Sequence, residues 1–371
     1  MKKRVLIIAG TRPEVIKLAP VVVACRTRPG QFETIYCSTG QHREMLDQAN
    51  KVFRLQTDMD LGLMAPGQTL AGLTSLLFNA LDAAIEKVKP DAIVVQGDTT
   101  SAMVGAMCGF YRRIIVGHVE AGLRTGNIWA PFPEEVNRSI IGKIATLHFA
   151  PTDMSRDNLL REGIAKDTVH ITGNTVVDAL HWVRANGALA PTDEIAQSVR
   201  DAIKGKRLIL VTSHRRESFG DGLANTCNAL LRIVELFPDT VIVYPVHLNP
   251  NVQGPVKELL RDHPRIHLLP PVSYPALLWL MSESNIILSD SGGIQEEAPS
   301  FSKPLLVLRD TTERPEVIHA GCAILVGTEQ DRIVAEVTRL LCDSAAYASM
   351  AGRPNPFGDG KAGERIANLL V

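Results

Sequence analysis

The stretch Ile286-Ile287-Leu288-Ser289-Asp290-Ser291-Gly292-Gly293-Ile294-Gln295-Glu296-Glu297 decides the fold. A short apolar run ends in Ser and Asp and passes through two adjacent glycines, which reads as a buried strand entering a helix. Glycines let a phosphate approach the backbone, and a helix amino end adds free N–H donors and a favourable dipole. Taken alone, the segment serves equally well as a tight turn with Ser291 capping the helix. Working outward, similar apolar runs recur at 5–9, 34–38, 92–96, 114–117, 147–150 and 169–172. The second half repeats the scheme at 208–212, 241–244, 266–269, 286–289, 305–308 and 323–326. Such runs alternating with longer amphipathic stretches mark βαβ units around parallel sheets. The expected class is α/β, with two Rossmann-like, doubly wound parallel-sheet domains of six strands each facing a cleft.

The expected domains are 1–173 and 174–360, with 361–371 a helix that crosses back to the first. A helix at 176–184 and a polar stretch at 186–193 suit the connection between them, and 353–360 carries Pro354, Pro356, Gly358 and Gly360. The length of 371 residues is enough for two cores. With 39 basic against 40 acidic residues the formal net charge is -1, which argues against a nucleic-acid partner. Six scattered cysteines without a Cys-x-x-Cys pair indicate neither a metal site nor a disulfide framework. Met1-Lys2-Lys3-Arg4 precedes an apolar run that stops after five residues, so a first buried strand fits better than a secretory signal. No uncharged apolar stretch approaches the roughly 18 to 20 residues of a membrane span, so no membrane association and a cytoplasmic location are expected. Neither Gly-x-Gly-x-x-Gly after the first strand nor a Gly-Lys-Ser/Thr loop occurs, which removes support for NAD chemistry and P-loop ATP chemistry.

Chemistry is expected at the carboxyl ends of the strands, where open α/β sheets bind ligands. Arg12-Pro13-Glu14-Val15-Ile16 recurs as Arg314-Pro315-Glu316-Val317-Ile318, each copy following an apolar run with Pro where a first helical turn tolerates it. His214-Arg215-Arg216-Glu217 ends one strand and suits a diphosphate leaving group, and His247 ends the next. Acidic groups gather in the first half: Asp98 in Gly97-Asp98-Thr99-Thr100, Glu120 in His118-Val119-Glu120-Ala121-Gly122, and Glu134 and Glu135 opening a helix. Asp98 alone reads as a helix cap, whereas Glu120 between small apolar neighbours and glycines needs a contact to explain it. Carboxylates at several strand ends opposite a cationic cleft fit proton transfer on a bound sugar.

These words, together with Lys17, Gln41-His42-Arg43-Glu44-Met45-Leu46-Asp47-Gln48, Leu123-Arg124-Thr125, Asn137-Arg138, Gly173-Asn174-Thr175, Ser218-Phe219-Gly220, Ala298-Pro299 and Arg309-Asp310-Thr311-Thr312-Glu313, span nearly the whole chain. As an ordered set they resemble the non-hydrolysing UDP-N-acetylglucosamine 2-epimerases of bacterial envelope-polysaccharide pathways. The resemblance implies a glycosyltransferase-B-like fold, a homodimer, domain closure around UDP and interconversion of UDP-N-acetylglucosamine (UDP-GlcNAc) and UDP-N-acetylmannosamine (UDP-ManNAc) without a redox cofactor. It also implies UDP binding by Arg12, Lys17, His214, Ser291, Gly292, Gly293, Glu297 and Arg314, and a catalytic set of Asp98, Glu120, Glu134 and His214. Gln41, Glu135, Arg215 and His247 match positions implicated in activation by substrate. Val272 and Leu277 depart from well-known members near the expected uracil pocket, where backbone groups would make the base contacts.

The hydrogen on C2 of the sugar is not acidic, since no carbonyl adjoins it. Elimination of UDP to 2-acetamidoglucal and re-addition would invert that centre, with carboxylates serving two faces. The alternatives are an epimerase of a modified UDP-HexNAc, an inverting glycosyltransferase of the same fold, which needs an acceptor, and a non-catalytic UDP-sugar sensor.

Overall fold

The computed structural model describes residues 2–40, 43–63, 67–215 and 219–371. Their contacts cluster into two compact units, one running to Ala185 and resuming at Phe357–Val371, the other spanning Asn186–Pro356.

In the first unit the strands are β1 (Lys3–Ala9), β2 (Phe32–Ser38), β3 (Met59–Asp60), β4 (Ala92–Gln96), β5 (Ile115–Val119), β6 (Leu147–Ala150) and β7 (Val169–Ile171). Between them come helices α1 (Arg12–Arg26), α2 (Arg43–Val52), α3 (Leu70–Val88), α4 (Thr100–Tyr111), α5 (Glu134–Ile144) and α6 (Asp153–Arg161), with α7 (Thr175–Ala185) after β7. The described residues form a parallel sheet of order β3-β2-β1-β4-β5-β6-β7. Six strands were expected here and seven are present. The extra one, β3, is two residues long at the sheet edge against Cys37 and Ser38, too short to carry a hydrophobic pattern.

The second unit holds α8 (Gln197–Ile203), β8 (Arg207–Thr212), α9 (Asp221–Leu236), β9 (Thr240–Pro245), α10 (Pro250–Leu260), β10 (Ile266–Leu269), α11 (Tyr274–Glu283) and β11 (Ile286–Ser289). It continues with α12 (Gly292–Glu297), β12 (Leu305–Val307), α13 (Pro315–His319), β13 (Ala323–Leu325), α14 (Gln330–Cys342) and α15 (Ser344–Met350). Its described strands form a parallel sheet of order β10-β9-β8-β11-β12-β13. The central strands are buried along most of their length, as a sheet covered by helices on both faces requires. In each sheet the order reverses once, between β1 and β4 and between β8 and β11, and a doubly wound sheet opens a crevice at such a switch point.

The last helix, α16 (Ala362–Leu369), belongs to the first unit and packs on α1 and α7. Gly363 makes this approach close: a Cβ there would lie 2.8 Å from the backbone of Pro20 in α1. Asp178 of α7 accepts the Gly363 N–H at 2.8 Å, and Asn174 donates its N–H to the Phe357 carbonyl at 2.7 Å. The whole of α7 therefore lies with the first unit, whereas the sequence boundary at 173/174 put it with the second; its apolar face is covered by α1 and α16.

The five-residue repeat occupies unequal places. Its first copy opens α1 directly after β1, at the switch point, and its second opens α13 after β12, the outer neighbour of β11. Aligning the sheets by their switch points pairs β1 with β8, so the repeat is not a relic of one domain copied into two.

Candidate active-site residues at the strand ends

In the first unit the ends of β1, β4 and β5 carry the chemistry-bearing groups. Glu120 follows β5 with φ of 66°, a left-handed conformation that costs a non-glycine residue on the order of 1 kcal/mol or more and that clusters at functional sites. The residue is buried, and Oε2 accepts from Lys17 Nζ of α1 and from Gln96 Nε2 of β4, both at 2.5 Å. Lys17, which the resemblance assigns to UDP, is thus ion-paired to Glu120.

Asp98 is held differently. The cap of α4 is Thr99, whose Oγ1 accepts the Ala102 N–H, which frees Asp98 from the capping role that its sequence context suggested. Arg138 of α5 grips Asp98 Oδ2 through Nε at 2.8 Å and Nη2 at 2.7 Å, and Asn137 Nδ2 donates to the Asp98 carbonyl at 2.8 Å. Oδ1 has no partner among the described residues, and a quarter of the side chain is exposed. One oxygen is pinned and the other is open, the arrangement a general base needs. Arg138 also donates to Glu135 Oε2 at 3.1 Å, while Glu135 Oε1 accepts the N–H groups of Thr125 and Gly126 at 3.0 and 2.9 Å. Glu135 therefore anchors the loop before α5. Glu134 begins α5 half-buried, with no hydrogen bond or ion pair among the described residues.

Two further buried groups support these loops. His118 of β5 shares a 2.7 Å hydrogen bond between Nε2 and the Gly97 carbonyl, and burial pushes its pKa down to about 3, so the ring is neutral. Glu14 of α1 accepts from Gly10 N–H at 3.0 Å and from the hydroxyls of Thr11 and Thr99, each at 2.8 Å, tying the loop after β1 to the loop after β4. Burial raises its pKa from 4.5 to about 7, with the hydrogen bonds opposing. A carboxyl whose pKa is raised on folding favours the folded state below pH 4.5, and that contribution fades as pH rises through 7. The loss is about 3 kcal/mol. Glu14→Gln keeps an acceptor for Gly10 and stays neutral, so denaturant unfolding at a series of pH values is expected to be flatter between pH 5 and 8 than in the unmodified chain. A slope unchanged by the substitution would show that Glu14 is not the titrating group.

In the second unit the loop after β8 and the turn after β11 meet through Asp290. This fully buried carboxylate accepts at Oδ2 from Ser213 Oγ at 2.9 Å, His214 N–H at 2.8 Å and Arg215 N–H at 2.9 Å. His214 Nδ1 lies 3.3 Å from Oδ1, and the ring stacks on His247 with centroids 5.4 Å apart. Burial holds the His214 pKa below its usual value, with Asp290 opposing and Arg215 and His247 adding to the depression. Three residues singled out from sequence, His214, Arg215 and His247, are thus brought together.

Ser291 directly follows Asp290 and takes the N-cap position of α12 without a side-chain cap hydrogen bond, so its hydroxyl is not used for capping. Arg314 lies over Gly292, where a Cβ would sit 3.1 Å from its Cζ, which explains the glycine by close approach. Arg314 is buried, and its guanidinium donates through Nε to Glu296 Oε1 at 2.9 Å and through Nη1 to Glu313 Oε2 at 2.9 Å. A Cβ at Gly293 would meet the Ser291 hydroxyl at 3.9 Å, an ordinary van der Waals contact. Glu297 is buried, and burial together with Glu297 raises the phenol of Tyr274 well above its usual pKa. Val272 is buried and Leu277 half-buried. Arg12 is the first residue of α1.

Gln41, Arg216, Glu217 and Ser218 lie outside the described residues. No group of three or more His, Cys, Asp or Glu able to hold a metal occurs among the described residues, and no described helix is long and apolar enough to cross a membrane. Gln96, Arg138 and Asp290, absent from the sequence-derived site, are the residues that hold its carboxylates and imidazole. Their signal was adjacency to the motifs: Gln96 precedes Gly97-Asp98, and Asp290 opens the Ser-Gly-Gly turn.

Two doubly wound parallel-sheet units with polar clusters at both switch points define an α/β protein of the class that binds its ligand at the carboxyl ends of the strands. Residues 23–371 match the UDP-N-acetylglucosamine 2-epimerase family model. A Yersinia pestis UDP-N-acetylglucosamine 2-epimerase is 50% identical over 99% of this chain and 98% of its own. The Neisseria meningitidis UDP-GlcNAc 2-epimerase, solved bound to UDP-GlcNAc, matches with a TM-score of 0.90 at 42% identity over 99% of both chains. The S. aureus MnaA–UDP structure matches with a TM-score of 0.90 at 39% identity, over 100% of this chain and 96% of that one. The chain belongs to the UDP-N-acetylglucosamine 2-epimerase family, and it is an isomerase.

Proposed function

We propose that this chain interconverts UDP-GlcNAc and UDP-ManNAc by eliminating UDP to 2-acetamidoglucal and adding it back. In this reading the UDP-binding residues are Arg12, Lys17, His214, Ser291, Gly292, Gly293, Glu297 and Arg314. Asp98 and Glu120 move the C2 proton, with Glu134 beside them. The observation that carries this reading is the pair of carboxylates at the ends of neighbouring strands β4 and β5 in opposite circumstances. Asp98 keeps one oxygen open, whereas Glu120 is buried against Lys17 and Gln96. Inversion at C2 needs proton transfer on two faces, and two differently held carboxylates supply it. Membership of a family whose solved members include proteins bound to UDP-GlcNAc and to UDP supports the ligand class.

Incubating the purified chain with UDP-GlcNAc alone and separating the UDP-sugars chromatographically tests this. A second UDP-HexNAc peak with traces of UDP and the glucal is expected, and release of free N-acetylmannosamine as the main product would contradict it. Glu135, Arg215 and His247 are the described members of the substrate-activation set in this reading, and Gln41 lies outside the described residues. Hyperbolic kinetics from UDP-ManNAc, with no need for added UDP-GlcNAc, would remove that role. The setting is cytoplasmic supply of an envelope polysaccharide.

A homodimer is part of the same proposal. Phe110 and Tyr111 of α4 are exposed and adjacent, and Tyr111 stacks on Phe78 of α3 with centroids 6.3 Å apart. Neighbouring apolar groups of this kind suit a self-complementary interface. Light scattering is expected to give twice the chain mass, falling to one chain mass in the Phe110→Glu, Tyr111→Glu double substitution; an unchanged mass would place the interface elsewhere.

A further inference from the structure

Asp290 Oδ1 is buried and has no hydrogen-bond partner among the described residues, although Oδ2 of the same carboxylate takes three. A buried carboxylate oxygen left over in this way calls for an explanation. The group facing it is His214 Nδ1, 3.3 Å away, on a loop that Asp290 itself holds through the backbone N–H groups of His214 and Arg215. Separations of this kind tighten when a ligand fills a site. Around the ring stand Arg215 on the same loop and His247 stacked on its face, so Asp290 is the one anion among these neighbours.

We propose that Asp290 is a positioning residue that fixes His214 as the Nδ1–H tautomer, making Nε2 the nitrogen that exchanges a proton with the UDP diphosphate. An N–H on Nδ1 donates to the spare Oδ1, and the other ring nitrogen is left to act. Nε2, protonated from solvent, gives its proton to a diphosphate oxygen as the C1–O bond breaks and takes it back as that bond re-forms. Asp290 lies beside the ring to balance the transient imidazolium charge. This inference rests on the epimerase reading for its substrate, but the tautomer can be read without any turnover.

The test is 15N NMR of the full chain labelled at histidine, free and with UDP, with His214→Gln identifying the signal. The expected spectrum has a protonated Nδ1 in the free chain and an Nε2 signal that moves when UDP is added. In Asp290→Asn the new amide donates to Nδ1, so the proton is expected on Nε2, and turnover falls by on the order of 10^2- to 10^4-fold with UDP affinity little changed. An Nε2–H tautomer in the unmodified chain overturns the proposal, and that measurement stands even if Asp290→Asn does not fold. Full turnover in His214→Gln would overturn its catalytic half while leaving the tautomer in place. Absence of turnover in the unmodified chain, with the tautomer as stated, would count against the epimerase reading and not against Asp290.

Discussion

Asp98→Asn is expected to lower turnover of UDP-GlcNAc by about 10^2- to 10^4-fold while leaving UDP affinity close to that of the unmodified chain. The amide oxygen can take over the grip of Arg138, which now holds Oδ2 at 2.7 and 2.8 Å, so the backbone around Gly97 keeps its anchor. What disappears is the basicity of the open oxygen. Glu120→Gln is expected to cause a loss of the same order, with a second effect that separates the two residues. Glu120 and Lys17 are 6% and 11% exposed in their side chains, so removing one charge leaves the other in a poorly solvated place. Breaking a buried pair costs about 3 to 5 kcal/mol. Urea unfolding should therefore show Glu120→Gln destabilised and Asp98→Asn near normal, and Lys17→Met together with Glu120→Gln should recover part of the deficit. Full turnover in both single variants would remove these carboxylates from the reaction.

Arg314→Ala is expected to weaken both the second unit and its hold on UDP. The guanidinium fills the space above Gly292 and pairs with Glu296, which is 1% exposed, and with Glu313. Taking it away strips Glu296 of that cation and opens a gap beside the first residue of α12. A stability loss of about 3 to 5 kcal/mol follows if the pair behaves as other buried pairs do. Loss of a charged donor to a phosphate is expected to reduce UDP affinity by roughly 10- to 100-fold, measured by calorimetry at a temperature where the variant is folded. Arg314→Lys retains a charge but cannot span Glu296 and Glu313 at once, and should fall between the two. Unchanged affinity in the alanine variant would move the diphosphate away from Arg314.

The central strands were legible because burial on both faces imposes long apolar runs, as in Ile93 to Val95 and Leu208 to Val211. β3 escaped because two edge residues carry no period. The position of α7 was decided by packing on α1 and α16, a contact between the beginning and the end of the chain that local composition does not record. The same limit applies to the site. Asp98, Glu120 and His214 stood out by their place at strand ends, but their partners depend on three-dimensional register: Lys17 is 103 positions from Glu120, Arg138 is 40 from Asp98, and Asp290 is 76 from His214. The five-residue repeat opens a helix after a strand in both copies, as its proline suggested, but at strand ends that are not equivalent in the two sheets.

Proton NMR of UDP-GlcNAc incubated with the purified chain in deuterated water, without added cofactor, tests the proposed reaction most directly. Elimination and re-addition predict a growing UDP-ManNAc signal with deuterium at C2 in the product and, with time, in the remaining substrate. An unchanged spectrum under conditions where UDP binds, or a mannosamine product that retains its C2 hydrogen, would contradict it.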